Sequence, residues 1–462
     1  SATEVVDEIN KLKSGKSPGF DLITAQILKN LPHKALLKLN SILNACLNLK
    51  YIPLSWKVSE IIMIQKPGKN ANEVKSYRPI SLLPVMGKLF EKLFSRRLKE
   101  VIAIKQLVPS HQLGFREKHS TIDQVHRIVH TIEETLEKKK VCSAIFLDVA
   151  QAFDKVWHKG LDYKLKTQLP IQYTDILKSY MNDRYFRVKH DQAYSILKKI
   201  EAGVPQGSIL GPILYLLYTA DIPLPINSKI ATFADDTCIL STGNDEIEST
   251  RKLPASVDKI VAWTETWRIK LNEGKSVHVD FTNKSIEYIP LEIASFTVPH
   301  ANSAKYLGMT LDARLNWKEH IKKKQTELNL KYKKLKWIIG RNSKVTTANK
   351  LLIYNQIIKP VWTYGSQLWG CAAKTHVETI QRIQNKMLRD VVNAPWYARN
   401  DDIHRDLGVT KVAEAIKQAA TNHKHRLQHH INPEASTLCN EENYSRRLRR
   451  TKPPDLVAII IV

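Results

Sequence analysis

Seven residues, Val141-Cys142-Ser143-Ala144-Ile145-Phe146-Leu147, run apolar without the three-and-four spacing of an amphipathic helix and lead straight into a carboxylate, Asp148. A short apolar run of this kind reads as a strand buried on both faces. A carboxylate at its end is costly unless it is hydrogen-bonded, ion-paired or bound to a cation. The chain must therefore build a sheet covered on two sides and supply partners for that charge. A second stretch, Lys229 to Leu240, reads as two strands joined at Asp235-Asp236 by a two-residue connection. Taken singly, Asp148 is a capping Asp and Asp235-Asp236 are turn residues. Taken together, they are two strand segments from distant parts of the chain, each presenting acidic groups at one end. Such strands can pair and set hard oxygen ligands round the same divalent cations. Two ions about 3.5–4 Å apart activate an attacking hydroxyl and stabilise a leaving phosphate oxygen.

The rest of the 462 residues offers several structural units, on the prior of roughly 150 residues per domain. Residues 4 to 50 read as two amphipathic helices round a polar turn, Lys13 to Gly19. The Gly15-Lys16-Ser17 in that turn lacks the upstream glycine and preceding strand of a phosphate-binding loop. Ser59 to Ile64 and Arg78 to Leu83 read as two extended segments of a basic hairpin, with a turn at Lys66-Pro67-Gly68-Lys69. Phe90 to Ile104 and Ile122 to Leu136 have helical apolar spacing. Gly203-Val204-Pro205-Gln206-Gly207-Ser208, ahead of a helical run from Ile213 to Tyr218, is a place where backbone could lie close to a base pair or sugar. After residue 315 the pattern is helical and basic: Ile321, Leu328, Tyr332, Leu335 and Ile339 form the apolar stripe and seven lysines crowd the rest. Beyond residue 430, prolines and the run Arg446-Arg447-Leu448-Arg449-Arg450 suggest a poorly ordered basic tail.

Charge narrows the class. Lys+Arg number 71 against 45 Asp+Glu, a net of +26, which favours a polyanionic partner, nucleic acid first. With 43% hydrophobic and 25% charged residues the chain is neither disordered nor collagen-like. Five scattered cysteines give no disulfide framework and no paired zinc motif, and Cys371 and His376 find no partners at ligand spacing. The longest apolar run, Leu456 to Val462, is far short of the ~20 residues of a membrane span, so a soluble protein with no membrane partner is expected. An opening Ser in an apparently running helix suggests a piece of a longer polypeptide.

Three segments carry a resemblance. Asp148-Val149-Ala150-Gln151-Ala152-Phe153-Asp154, Gly203 to Ser208, and Phe233-Ala234-Asp235-Asp236 resemble motifs A, B and C of a reverse transcriptase, in the family's order. Ser76-Tyr77-Arg78-Pro79-Ile80-Ser81-Leu82-Leu83, His111-Gln112-Leu113-Gly114-Phe115-Arg116 and Tyr306-Leu307-Gly308 resemble segments of non-LTR, LINE-type retrotransposon enzymes of the jockey-like group. The resemblance runs from about residue 2 to 410. It implies an α+β right-hand polymerase fold: an N-terminal helical extension (1–55), fingers (56–140), a palm of antiparallel sheet with helices (141–290), a primer grip and helical basic thumb (291–410), and a basic C-terminal tail (411–462).

It also implies roles. Asp148, Asp235 and Asp236, with the Val149 carbonyl, would hold two Mg2+ ions, for which Mn2+ can substitute. Arg78 and Lys66 would contact the triphosphate, Gln206 and Gly207 the incoming nucleotide, and Phe153 would be the steric gate favouring deoxynucleotides. Lys275, in the motif D-like Leu271-Asn272-Glu273-Gly274-Lys275, would donate a proton to pyrophosphate, while a solvated surface lysine is the bland alternative. Tyr306, Leu307 and Gly308 would be the primer grip. The implied partners are an RNA template, a DNA primer or target, and dNTPs, with target nicking by an endonuclease from a missing region or another protein. DNA synthesis in the nucleus, with assembly on RNA in the cytoplasm, is the implied location. A catalytically silent nucleic-acid-binding descendant is the alternative from another class, and an RNA-templated RNA polymerase is a third reading that Phe153 opposes.

Overall fold

The structure, a computed structural model, describes residues 1–293, 296–439 and 446–458. It is an α+β chain that divides into two compact units interleaved along the sequence: residues 1–109, 149–223 and 259–272 in the first, and 110–148, 224–258 and 273–462 in the second. Among the described residues no helix is long and apolar enough to cross a membrane.

The first unit pairs a helical core with a small sheet. Strands Val58–Gln65 and Tyr77–Leu82 form the antiparallel hairpin that the sequence predicts, with Ile64 opposite Arg78. A strand the sequence analysis did not single out, Tyr185–His190, lies parallel to Val58–Gln65 on its other side. The helices Ala2–Asn10, His33–Asn48, Val85–Ile104, His158–Gln168, Ile171–Met181 and Leu210–Thr219 share one apolar core with Leu89, Phe90, Leu98 and Leu214. The N-terminal region holds three helical segments rather than two, because a short helix, Ala25–Lys29, capped by Thr24, follows the polar turn. One buried charge ties this region down: Glu8 is fully buried and is met by Lys92 at 2.7 Å and by Arg96.

The second unit is built round the Val141–Leu147 strand, whose seven residues are all buried. It runs between Asp236–Gly243 and Val277–Phe281, antiparallel to both, with Lys229–Phe233 outside Asp236–Gly243. The helix Thr121–Glu137 covers the sheet with Val125, Ile128, Val129, Ile132 and Leu136, a stripe at steps of three and four. Its start is fixed by a capping box between Ser120 and Asp123. The basic helix is present as Lys318–Ile339, with Ile321, Leu328, Tyr332 and Ile339 buried and Lys322, Lys333 and Lys334 exposed.

Within the basic tail expected from residue 411 the chain is helical at first, and part of the stretch beyond residue 430, expected to be poorly ordered, is held in place. Val412–Gln428 is a helix that buries Val412, Ile416, Ala420 and Leu427. The arginine run is docked too. Arg447 donates to the Leu136 carbonyl at 2.6 Å, and its own amide and that of Leu448 donate to the Glu137 carboxylate at 3.0 Å. Cations at a helix C-terminus satisfy carbonyls that have no partner within the helix, a use of basic residues that composition does not reveal. Ser445 and the last four residues of the apolar run, 459–462, lie outside the described residues.

Asp123 joins this helix to the sheet's cover. It is wholly buried, and both oxygens accept from Arg426, one at 2.8 Å. Burial works to raise its carboxyl, but the Arg426 hydrogen bonds and charge outweigh it and hold the group below its usual range. Arg426→Ala should therefore lower stability by about 3 kcal/mol at pH 7, because it strands a buried carboxylate. A depressed carboxyl stabilises the fold above its unfolded pKa and loses that contribution as pH falls through the folded value. The difference between variant and wild type in urea unfolding should accordingly shrink below about pH 4, and equal midpoints at pH 7 would refute the role.

Candidate active site

The register of the second unit's sheet places the acidic residues. Leu147 is opposite Thr237, so Asp148 and Asp236 stand one step beyond the last pair of adjacent strands. The hairpin connection is Ala234-Asp235 rather than Asp235-Asp236. Phe233 pairs with Asp236, which makes Asp236 the first residue of its strand and leaves Asp235 alone at the tip. The shift comes from backbone conformation. Ala234 has φ +58° while Asp235 is not left-handed, the pattern of a turn with its strained position first.

A non-glycine residue at positive φ must be held there, and here Gln112 holds it. Its side-chain oxygen accepts from the Ala234 amide at 2.9 Å and the Gly114 amide at 2.8 Å, and its side-chain nitrogen donates to the Ala234 carbonyl at 3.3 Å. The segment is zipped to the hairpin by the Leu113 amide on the Thr232 carbonyl and the Thr232 amide on the His111 carbonyl, at 3.0 and 3.2 Å. Gly114 is needed for this approach: a β-carbon there would sit 2.2 Å from the Ala234 nitrogen. The sequence motif from His111 to Arg116 thus acts as a clamp on the acidic turn, a role its pattern alone does not disclose.

Electrostatics mark the site. Burial, and then the neighbouring charges of Asp235 and Asp148, push the Asp236 carboxyl up to about 6. Burial and Asp148 raise Asp235 as well. Like charges that disfavour one another in a half-buried place are stabilised by added positive charge. Three carboxylates are the donor set that hard oxygen-seeking cations such as Mg2+ take. Their ligand atoms do not all lie within 4.8 Å of one another. Asp148 donates its amide to the Ser276 hydroxyl at 3.3 Å, and Lys275 reaches the Asp148 carboxylate at 3.4 Å while remaining 67% exposed. The motif D-like lysine therefore stands beside an acidic group, where it can pair with it or move off it.

Tyr306, Leu307 and Gly308 form a second two-residue hairpin in this unit, between Ser303–Tyr306 and Met309–Asp312. Leu307 and Gly308 both have positive φ, +45° and +80°. Tyr364 donates its hydroxyl to the Leu307 carbonyl at 2.6 Å, pinning the tip. Tyr306 itself is a core residue, buried beside Phe146 with ring centroids 5.4 Å apart.

The remaining candidates lie in the first unit. Ser81 donates its amide to the Gln206 carbonyl at 2.8 Å, and Gly207, at φ +113°, passes so close that a β-carbon would meet the Ser81 oxygen at 2.9 Å. Gln206 donates its side-chain amide to Asp154 at 2.7 Å, and Val204 donates its backbone amide to the Phe153 carbonyl at 2.8 Å. Burial raises the Asp154 carboxyl, opposed by Gln206 and by the Lys66 charge. The strand carrying exposed Arg78, the loop carrying Phe153 and the glycine-rich loop thus meet, with Lys66 within electrostatic reach of Asp154. Lys66 also donates to the Lys75 carbonyl at 2.8 Å. Phe153 stacks on buried Tyr215 at 4.9 Å, so its ring is half core. Val149 pairs with Leu271, and Ala150 donates to the Lys270 carbonyl at 2.8 Å.

Two residues here escaped the sequence analysis. Asp154 orients Gln206. Glu91, fully buried, accepts from the Ile209 and Leu210 amides at 2.6 and 3.1 Å and from the Tyr180 hydroxyl at 3.1 Å, which caps the helix after the glycine-rich loop. An acid in mid-helix with no local signal cannot be assigned to a distant helix start from spacing.

Comparison with known proteins follows this geometry. The family model described as "Reverse transcriptase (RNA-dependent DNA polymerase)" matches residues 64–311. The chain is 41% identical over 459 residues to the "Probable RNA-directed DNA polymerase from transposon X-element" of Drosophila melanogaster, covering 98% of this chain and 50% of that protein. It is 39% identical over 470 residues to the "RNA-directed DNA polymerase from mobile element jockey" of Drosophila funebris, covering 98% of this chain and 51% of that one. The chain thus spans about half the length of the curated relatives it matches. Among solved structures, apo telomerase from Candida tropicalis aligns at 12% identity with a TM-score of 0.42, over 88% of this chain and 74% of that one.

Asp236 gives a test of the site that needs no substrate. A carboxyl whose folded pKa is raised stabilises the fold below its unfolded pKa and loses that contribution as pH rises through the folded value. Asp236→Asn should therefore be more stable than wild type by about 1–3 kcal/mol at pH 7.5 without divalent ions. The gain should close by about pH 4. Denaturant unfolding at the two pH values measures it, and a variant no more stable at pH 7.5 would overturn the electrostatic assignment.

Proposed function

Because the chain belongs to the reverse transcriptase (RNA-dependent DNA polymerase) family, we propose that it extends the 3′ end of a DNA primer with deoxynucleotides along an RNA template, as part of a non-LTR retrotransposon. The observation that carries this reading is the pairing of the Asp148 strand with the Asp235-Asp236 hairpin, which brings three carboxylates to one end of the sheet and leaves two of them with raised pKa values.

In this reading Asp148, Asp235 and Asp236, with the Val149 carbonyl, hold two Mg2+ ions. When bound, these supply charge neutralisation for the attacking hydroxyl and the leaving pyrophosphate. The chain's own residues position the reactants. Gln112 keeps the strained tip from relaxing, so Asp235 is presented without reorganisation. Arg78 and Lys66 bind the triphosphate; Gln206, oriented by Asp154, and Gly207 pack against the nucleotide; Phe153, backed by Tyr215, occupies the space a 2′-hydroxyl would need. Lys275 moves between Asp148 and the leaving pyrophosphate as proton donor. The Tyr306 to Gly308 hairpin is the primer grip, and the exposed lysines of Lys318–Ile339 neutralise phosphates without reading sequence.

The same proposal assigns fingers (56–140), palm (141–290) and thumb (291–410), and places DNA synthesis at target DNA in the nucleus after assembly with RNA in the cytoplasm. Target nicking falls to an endonuclease outside this chain's residues.

Primer extension on an RNA template with Mg2+ and dNTPs tests the core of the proposal. Asp235→Asn should bind primer-template within about twofold of wild type and lose synthesis by about 10³-fold or more. Near-wild-type synthesis by the variant would remove the carboxylates from the chemistry. Binding without synthesis by the wild type would favour the silent descendant. Phe153→Ala should raise ribonucleotide incorporation by about 10²-fold relative to deoxynucleotide, and an unchanged ratio would dismiss the gate.

A further inference from the structure

The second unit holds a cluster that takes no part in the proposed synthesis. His278 and Asp280 alternate along the strand Val277–Phe281 and so share a face. The backbone at His300 pairs alongside: the His278 amide donates to the Pro299 carbonyl and the Ala301 amide to the His278 carbonyl, both at 2.9 Å. Three side chains are brought together. His278 Nε2 lies 3.2 Å from one Asp280 oxygen and His300 Nε2 lies 3.4 Å from the other. Among the described residues this is the one group of three or more such side chains whose ligand atoms all fall within 4.8 Å of one another.

A plain hydrogen-bonded histidine–aspartate set explains this poorly. His278 is fully buried, yet neither of its ring nitrogens has a hydrogen-bond partner, and neither does Nε2 of His300. The nitrogens are near the carboxylate without being aligned to it. A buried polar group left unmade in this way costs about 1–3 kcal/mol. Spacing suits an ion: four ligands at 2.0–2.1 Å from a tetrahedral ion stand about 3.3 Å apart along each edge, close to the 3.2 and 3.4 Å at which the two imidazoles approach the two Asp280 oxygens. A supporting contact is present as well, since the Ser143 hydroxyl donates to Asp280 and is itself held by Ser249 at 2.8 Å.

We propose that His278, Asp280 and His300 bind a divalent transition ion, Zn2+, as a structural staple. Two imidazoles and one carboxylate select Zn2+ over the Mg2+ taken by all-oxygen sites. His300 is 23% exposed, so the fourth position is open to water. The ion would fasten the 299–301 segment to the strand that follows Lys275 and Ser276. That segment leads into the Tyr306 to Gly308 hairpin, so one staple joins the chain at both ends of this stretch.

The test uses the full chain, stripped with a chelator and exchanged into metal-free buffer, with no nucleic acid. Wild type should bind one Zn2+ with a Kd below about 1 µM, should take up Co2+ with visible ligand-field absorption that Zn2+ abolishes, and should gain thermal stability with Zn2+. His300→Gln, at a partly exposed position, should keep the circular dichroism of wild type and bind Zn2+ at least tenfold more weakly, as should Asp280→Asn. Equal Zn2+ stoichiometry and affinity in wild type and His300→Gln would overturn the proposal, since the ion would then sit on other histidines. Wild type without any such high-affinity equivalent would overturn it outright, whatever the variants do.

Discussion

The constraint on which the second unit depends is a strand that must be buried on both faces and yet end in a carboxylate. Val141–Leu147 can be central only if it has partners on both sides and cover above, and the strands Asp236–Gly243 and Val277–Phe281 and the helix Thr121–Glu137 supply these. Once it is central, its register with Asp236–Gly243 is fixed, because a slip of one residue would turn every core side chain outward. Register then leaves no freedom in the site: the strand that buries Ile145 and Phe146 necessarily delivers Asp148 beside Asp236. The cost is visible in the raised carboxyl of Asp236, and burial contributes to it more than either neighbouring charge. Hydrophobic packing supplies the stability from which this local repulsion is drawn, and a bound cation would relieve it.

A second expense is conformational. Ala234 and Leu307 both occupy left-handed backbone, where a β-carbon is unwelcome, and both stand at hairpin tips. Each is pinned by one side chain from elsewhere in the unit, Gln112 for the first and the Tyr364 hydroxyl for the second. The partner is polar in both cases and reaches main-chain atoms. It therefore restrains the tip without specifying which side chain the tip carries. Gln112 bonds the backbone of Asp235's neighbour, so the restraint on the turn does not depend on the Asp235 side chain. Gly114 belongs to the same device, since only a residue without a β-carbon allows that approach.

Legibility in the sequence followed locality. The buried strand, the hairpin Val58–Leu82, the helices Thr121–Glu137 and Lys318–Ile339 and the grouping of acids were readable, because period and turn chemistry are properties of neighbouring residues. The connection at the acidic tip was misplaced by one residue, since Ala at positive φ has no sequence signature. The docking of the arginine run is not legible for a related reason: composition marks arginines and prolines beyond residue 430 as loose, whereas Arg447 donates to carbonyls at the end of a helix some 310 positions earlier. Glu91 on the Ile209 and Leu210 amides and Asp154 on Gln206 are also contacts between distant segments, and nothing local announces them. His278 and Asp280 alternate as strand residues do, but their third partner lies beyond an intervening hairpin, so no ligand spacing could bring it in.

These long-range polar contacts share a property that bears on how the site works. Gln112, Asp154, Glu91 and Tyr364 each hold backbone or a neutral side chain rather than a charged group, and the two in the acids' own unit, Gln112 and Tyr364, are neutral themselves and set position without adding charge there. The cations of the first unit's candidates, Arg78 and Lys66, are left on a surface hairpin, with Arg78 exposed. Positive charge on an exposed hairpin costs little to maintain and is available to a polyanion. Negative charge is the part that must be fixed at the end of a sheet to be held still. The division follows from desolvation: a lysine or arginine can remain in water until its ligand arrives, whereas carboxylates gathered at one end of a sheet need a rigid frame to resist their own repulsion. Where the acids sit and where the bases sit are thus consequences of one physical asymmetry, and the strand that ends in Asp148 is its structural expression.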